Sequence, residues 1–155
     1  MRLLMDADCL IKLTKAGLKE AVCRSNHVAI PSVVHDEVVV AGLARGHGDA
    51  AVVAANVENA LIELTASGES ESGDAALLPC FRAAPYDAVA TDDARLVRRL
   101  RLAGVPVAVP GVLVLDLYRR RALDRVQAVA AIEALSPFIS GEEHAAARLL
   151  LEREP

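Results

Sequence analysis

Short apolar runs alternate along this chain with longer segments whose apolar positions recur every three or four residues. The runs Arg2–Met5, His27–Ile30, Leu61–Leu64, Asp87–Ala90 and Pro106–Val109 are bounded by Asp, Pro, Ser or Gly and read as short buried strands. The intervening segments read as helices. The first runs from Cys9 to about Ala16, capped by Asp8 and stopped by Gly17, and Leu18–Arg24 follows it. Ser32 is the predicted N-cap of a helix to about Leu43, and Asp49 that of an Ala/Val-rich helix to about Ala60. Another helix opens at Asp74, and another is capped by Thr91 or Asp92 and ended by Gly104. After Pro110 the texture changes, and Gly111–Arg121, Asp124–Leu135 and Glu142–Glu152 all read as helical. Strands alternating with helices predict an α/β fold: a three-layer α/β/α arrangement around a central parallel sheet of four or five strands. The whole chain, 1–155, is expected to be one domain, with 111–155 a helical C-terminal extension packed on the same core.

Composition narrows the class. Aromatic residues make up 3% and Trp is absent, so the core must be aliphatic and a base-stacking platform for single-stranded nucleic acid is disfavoured. The net charge of −4 argues against a generic nucleic-acid coat protein, though not against a local basic surface. Cys9, Cys23 and Cys80 are scattered and lack C-x-x-C spacing, as expected of reduced thiols in a cytosolic protein. Asp6 and Asp8 interrupt the N-terminus before a signal-peptide run could form, and no stretch is long and uncharged enough to span a bilayer. A cytoplasmic protein with no membrane association is expected.

Carboxylates are the candidate chemistry. Asp6 follows the first strand, Asp92 and Asp93 follow the fourth, Asp74 opens a helix, and Glu37 sits in the helix after Pro31. In an open parallel sheet, ligands bind in the crevice outside the carboxyl ends of the strands. Helix capping is the competing explanation for Asp8, Asp92 or Asp93, and complementing a helix dipole is that for Asp74. On an α-helix the neighbours of Glu37 are Val33, Val34, Val40 and Ala41, which places a carboxylate on or beside an apolar stripe. Glu69 and Glu71 read as solvated loop charges, with Glu71 the alternative to Asp74 as a third ligand. Together such acids suit Mg²⁺ or Mn²⁺, which take oxygen ligands in octahedral geometry. Zinc is disfavoured, because His27, His35, His47 and His144 form no H-x-x-x-H pair.

The order of these motifs resembles the PIN domain, the metal-dependent nuclease fold of VapC-type toxins and RNA-processing endonucleases. The resemblance spans Arg2 to Val114 and rests on four signals. They are Leu3-Leu-Met-Asp6-Ala7-Asp8, Glu37 after Ile30-Pro31, Asp74-Ala-Ala-Leu-Leu78, and Thr91-Asp92-Asp93. It implies Asp6, Glu37, Asp74 and Asp93 as catalytic metal ligands, with Asp92 a substitute for Asp93. It also implies Mg²⁺ or Mn²⁺ as cofactor, RNA as substrate and, for a toxin, an antitoxin protein as partner. The family usually carries Thr or Ser after the first Asp, and this chain has Ala7. A catalytically silent PIN-like module binding RNA or protein is therefore the alternative.

Other signals compete. Asp6-x-Asp8 also resembles the opening of haloacid-dehalogenase-like phosphatases, but no lysine follows Lys19 and Leu78 stands where their second acid is needed. Gly46-His-Gly48-Asp-Ala-Ala51 fits a dinucleotide fingerprint but follows a helix rather than a strand. Two basic clusters, Arg95/Arg98/Arg99/Arg101 and Arg119–Arg121 with Arg125, are candidates to hold phosphates, a solvated helix face being the competing explanation. Val112–Leu115 and Ala145–Leu151 offer apolar surface that a homodimer or an antitoxin would bury, or that core packing explains.

Overall fold

A computed structural model describes residues 1–40, 61–66 and 72–155, apart from the side chains of Glu37 and Val40. The predicted helix over 49–60, the Gly46-His-Gly48 loop and the Glu69/Glu71 loop lie outside the described residues. The strands are β1 (Arg2–Met5), β2 (His27–Pro31), β3 (Ile62–Thr65), β4 (Ala88–Ala90) and β5 (Val107–Ala108). They form one all-parallel sheet in the order β3-β2-β1-β4-β5. The fold is α/β, with helices on both faces of the sheet, as the alternation of elements predicts.

The described helices are α1 (Ala7–Lys15), α2 (Lys19–Ser25), α3 (Ser32–His35), α4 (Gly73–Ala83), α5 (Ala94–Leu102), α6 (Pro110–Arg119), α7 (Arg125–Leu135) and α8 (Gly141–Arg153). Gly17 and Gly104 end α1 and α5 with φ of +71°, the left-handed conformation that closes a helix without a Cβ penalty. From Asp36 to Val40 the chain continues α3 as a π-helical turn.

Successive strand residues face opposite sides of the sheet, and two apolar clusters result. Leu3, Met5, Val28, Ile30 and Ala90 pack with α1, α2 and α3 on one face. Leu4, Ala29 and Val89 pack with Leu77, Leu96 and Leu100 of α4 and α5 on the other. The division follows from topology. From β1 the chain steps outward to β2 and β3, then crosses back to β4 on the opposite side of β1 and continues to β5. Right-handed crossovers in the two directions must cover opposite faces. Leu113 and Leu117 of α6, Ile132 of α7 and Leu151 of α8 join the first cluster, so the three C-terminal helices pack on the core that holds β1.

Three helix starts differ from the sequence expectation. Asp6, not Asp8, is the N-cap of α1. The helix begins directly after the strand, so Asp6 is the last residue with extended backbone (φ −82°, ψ 167°), while Asp8 already lies in the first turn. Asp93, rather than Thr91 or Asp92, caps α5 for the same reason. Pro31 occupies the cap position of α3, with Ser32 inside the helix.

Candidate metal centre

Because the chain leaves β1 towards β2 and returns beside it at β4, the topological switch point lies between β1 and β4. Met5 pairs with Ala90, and the Asp6 N–H donates to the Ala90 carbonyl at 3.1 Å, extending the ladder to the strand ends. Asp6 and Thr91–Asp92 therefore emerge side by side.

Asp6 is 3% exposed, and both its carboxylate oxygens are engaged. Oδ1 accepts the Cys9 backbone N–H at 2.6 Å, and Oδ2 accepts the Thr91 hydroxyl. Burial pushes the Asp6 carboxyl up to about 7; the bonds from Thr91 and Cys9 oppose the rise, and the nearby charges of Asp8 and Asp92 add to it. Thr91 is itself fully buried, and its hydroxyl also accepts the Asp93 N–H at 3.2 Å. A hydroxyl thus reaches Asp6 from the residue just after β4, although Ala7 carries none.

Asp92 is turned inward, its side chain 9% exposed. Its two oxygens accept from Lys12 Nζ at 2.8 and 2.7 Å. The same ammonium lies 2.7 Å from Asp8 Oδ2, one helical turn away on α1. Burial would pull the Lys12 ammonium down, but its bonds to Asp8 and Asp92 outweigh that and hold it above the usual lysine range.

A further carboxylate arrives from the C-terminal helices. Glu143 on α8 is half-buried, and its Oε1 accepts the Gly111 N–H at 2.8 Å. Burial raises its affinity for a proton; the Gly111 bond opposes this, Asp92 adds to it and Lys12 counters it. Gly111 permits the approach: a Cβ there would meet the Cβ of Ala147 at 2.9 Å. Sequence reasoning missed Glu143. Its visible signal, Ser140-Gly-Glu-Glu143, reads as a capping box. Ser140 does accept the Glu143 N–H at 3.1 Å, but the Glu143 side chain bonds Gly111 instead.

The buried thiol of Cys9 lies in the same field. Burial, then Asp6, Asp92 and Glu143, raise its pKa well above the ordinary thiol value, which keeps it an inert thiol. Beside the cluster opens a cavity of about 340 Å³, lined by Asp92, Val97, Gly111, Val112, Glu143 and Leu150 among others.

Asp93, Asp74 and Glu37 differ in how the fold holds them. Asp93 is exposed and its Oδ1 accepts the Leu96 N–H at 2.7 Å, so its carboxylate serves as a helix cap. Asp74 is exposed in the first turn of α4, where its backbone carbonyl accepts Arg99 at 3.2 Å. Glu37 lies in the π-helical turn. There the α-helical spacing used to place it beside Val40 no longer applies, and its side chain is outside the described residues. Among the described residues, no three His, Cys, Asp or Glu side chains are arranged to hold one metal ion.

The arginine clusters differ in availability. Arg95, Arg98, Arg99 and Arg101 are exposed along α5. Arg119 pairs with Glu154 and Arg120 with Asp116, while Arg125 donates to the backbone carbonyls of Leu151 and Glu154. Of the apolar segments, Leu113, Val114, Leu115 and Leu151 are core, whereas Val112, Leu149 and Leu150 remain exposed. Cys9, Cys23 and Cys80 are free and buried. No described helix is long and apolar enough to cross a membrane.

Comparisons with family models, curated proteins and solved structures give no match for this chain.

Proposed function

We propose that this chain is a divalent-metal-dependent endoribonuclease of PIN type. The observation that carries the reading is a buried Asp6, held by Thr91 and Cys9 at the switch point and facing the same crevice as Asp92. A buried carboxyl whose proton affinity is raised this far, in a cleft with further acids, is a functional-site signature.

The donor chemistry fits Mg²⁺ or Mn²⁺. Asp6, Asp92 and Glu143 present only oxygens, and the crevice already attracts a cation, the Lys12 ammonium. Asp6 and Asp92 would hold the metal, with Glu37 a further acid by sequence pattern and Asp8 and Glu143 further acids that act on Asp6 and Asp92 respectively. A bound metal supplies Lewis acidity and offsets charge on the phosphodiester. The chain's own residues do the rest. The Cys9 N–H and the Thr91 hydroxyl fix the orientation of the Asp6 carboxylate. The exposed arginines of α5, the helix that starts just after Asp92, offer positive charge for RNA phosphates beside an otherwise repulsive crevice.

RNA cleavage by wild type and Asp6→Asn, each with Mg²⁺ or Mn²⁺ and with chelator, tests the reading. Cleavage should require metal and Asp6; equal cleavage in all cases would sink it. A toxin role adds an antitoxin partner, which a small DNA-binding protein encoded in the neighbouring reading frame would support. The silent-module alternative draws on one observation: Lys12 already pairs with both Asp8 and Asp92. Millimolar or tighter Mn²⁺ binding, abolished in Asp6→Asn, would argue against it.

A further inference from the structure

Lys12 joins the deepest and the most exposed parts of the crevice. The side chain of Asp92 is 9% exposed, that of Lys12 19% and that of Asp8 59%. The ammonium therefore has an inner partner that solvent barely reaches and an outer one at the surface. Both oxygens of Asp92 are taken by Nζ, at 2.8 and 2.7 Å. An ammonium and a divalent ion so placed would repel each other across the same carboxylate, in a setting of reduced dielectric. Lysine suits such an exchange, because its charge is compact and its stem is flexible.

We propose that Lys12 is the resident cation of this crevice and a built-in competitor of the divalent metal, which loads only when the ammonium leaves Asp92 and stays paired with Asp8 at the surface. This inference rests on the metal-centre reading above. The exchange is ionic and makes or breaks no covalent bond. Asp6, fixed by the Cys9 N–H and the Thr91 hydroxyl, and Glu143, fixed by the Gly111 N–H, bring further carboxylate oxygens, the donor type a divalent ion prefers. Asp8, one turn before Lys12 on the same helix, gives the displaced ammonium a partner without unfolding α1.

Mn²⁺ titration by calorimetry on the full chain tests this with wild type, Lys12→Met and Lys12→Arg. Lys12→Met should bind Mn²⁺ about tenfold or more tightly than wild type, within the usual range of coupling between two ligands. Lys12→Arg, which keeps the charge, should not gain affinity. A second readout needs no variant of uncertain stability. Lys12, Lys15 and Lys19 are the only lysines, so the ¹⁵N ε-ammonium signal of Lys12 in wild type is readily assigned. Its protection from exchange should be lost as Mg²⁺ is added. Equal Mn²⁺ affinity in wild type and Lys12→Met, or a Lys12 signal unchanged while Mg²⁺ binds, would overturn the competition and leave the metal centre standing. Absence of Mn²⁺ binding in both wild type and Lys12→Met would overturn the two readings together.

Discussion

The crevice between β1 and β4 and the edge where α6 and α7 meet the C-terminal residues treat charge in opposite ways. At the edge, Arg119 donates to Glu154 at 2.8 Å through Nε, Arg125 caps the last carbonyls of α8, and the Tyr118 hydroxyl donates to the Pro155 carbonyl at 2.8 Å. The Arg119 side chain there is 57% exposed, so solvent screens each pair and the cavity of about 560 Å³ beside them is an ordinary surface fold. In the crevice, Asp6, Asp8, Asp92 and Glu143 influence one another, and Lys12 pairs with two of them. Like charges are gathered there under burial, which folding alone would disfavour. The edge contains more arginine, yet the crevice is where electrostatic free energy is stored. Burial, rather than the number of charges, separates the two regions.

The largest effect expected from this contrast is the pH response of Asp6. Its folded pKa of about 7 lies above the unfolded value of 3.8, so the folded state holds the proton more strongly. Stability from this group is present below pH 4 and is lost as pH rises to about 7, on the order of 4 kcal/mol for a shift of this size. Asp6→Asn should remove that loss. Urea melts from pH 4 to 8 should show the variant gaining on wild type as pH rises; a constant difference would mean that Asp6 is not held in this state.

Somewhat smaller is the expected cost of Thr91→Val, about 1–3 kcal/mol at neutral pH, because a buried carboxylate oxygen loses its donor. In an Asp6→Asn background the same change should cost less, since no charge is left without its partner. A double-mutant cycle in chemical denaturation would detect the coupling.

Gly111→Ala probes the seam that brings in Glu143. The added Cβ meets Ala147 at 2.9 Å, so α8 must shift from α6 at a cost of about 1–3 kcal/mol. Thermal unfolding reads the cost. Glu143→Gln, which keeps the size of the side chain, should leave the seam closed and change stability less.

The smallest effect is expected at the edge. Arg119→Ala should alter stability by no more than about 1 kcal/mol, decreasing with added salt. A loss as large as that of Thr91→Val would erase the distinction between the two regions.

Much of the frame is legible in the sequence alone. The five apolar runs became the five strands within a residue or two, because short buried strands leave a strong local signal. Gly17 and Gly104 stopped helices where they were expected to. The assignment of carboxylates was less legible, because it turns on single residues. Whether Asp6 or Asp8 caps α1 depends on where extended backbone yields to helix, and the same uncertainty of one residue exchanged Asp92 and Asp93. The π-helical turn at Asp36–Val40 left no periodic trace, so α-helical spacing alone does not fix the neighbours of Glu37.

What the sequence determined by itself was local: the period of its apolar positions, the residues that break it, and acids at the strand exits. Strand order, and hence which exits adjoin, came only from tertiary structure. So did the contact between Lys12 and Asp92, 80 positions apart, and that between Gly111 and Glu143, 32 apart. Backbone preference and hydrophobic period act over a few residues, whereas the charge environment of a carboxylate is set by whatever the fold packs against it.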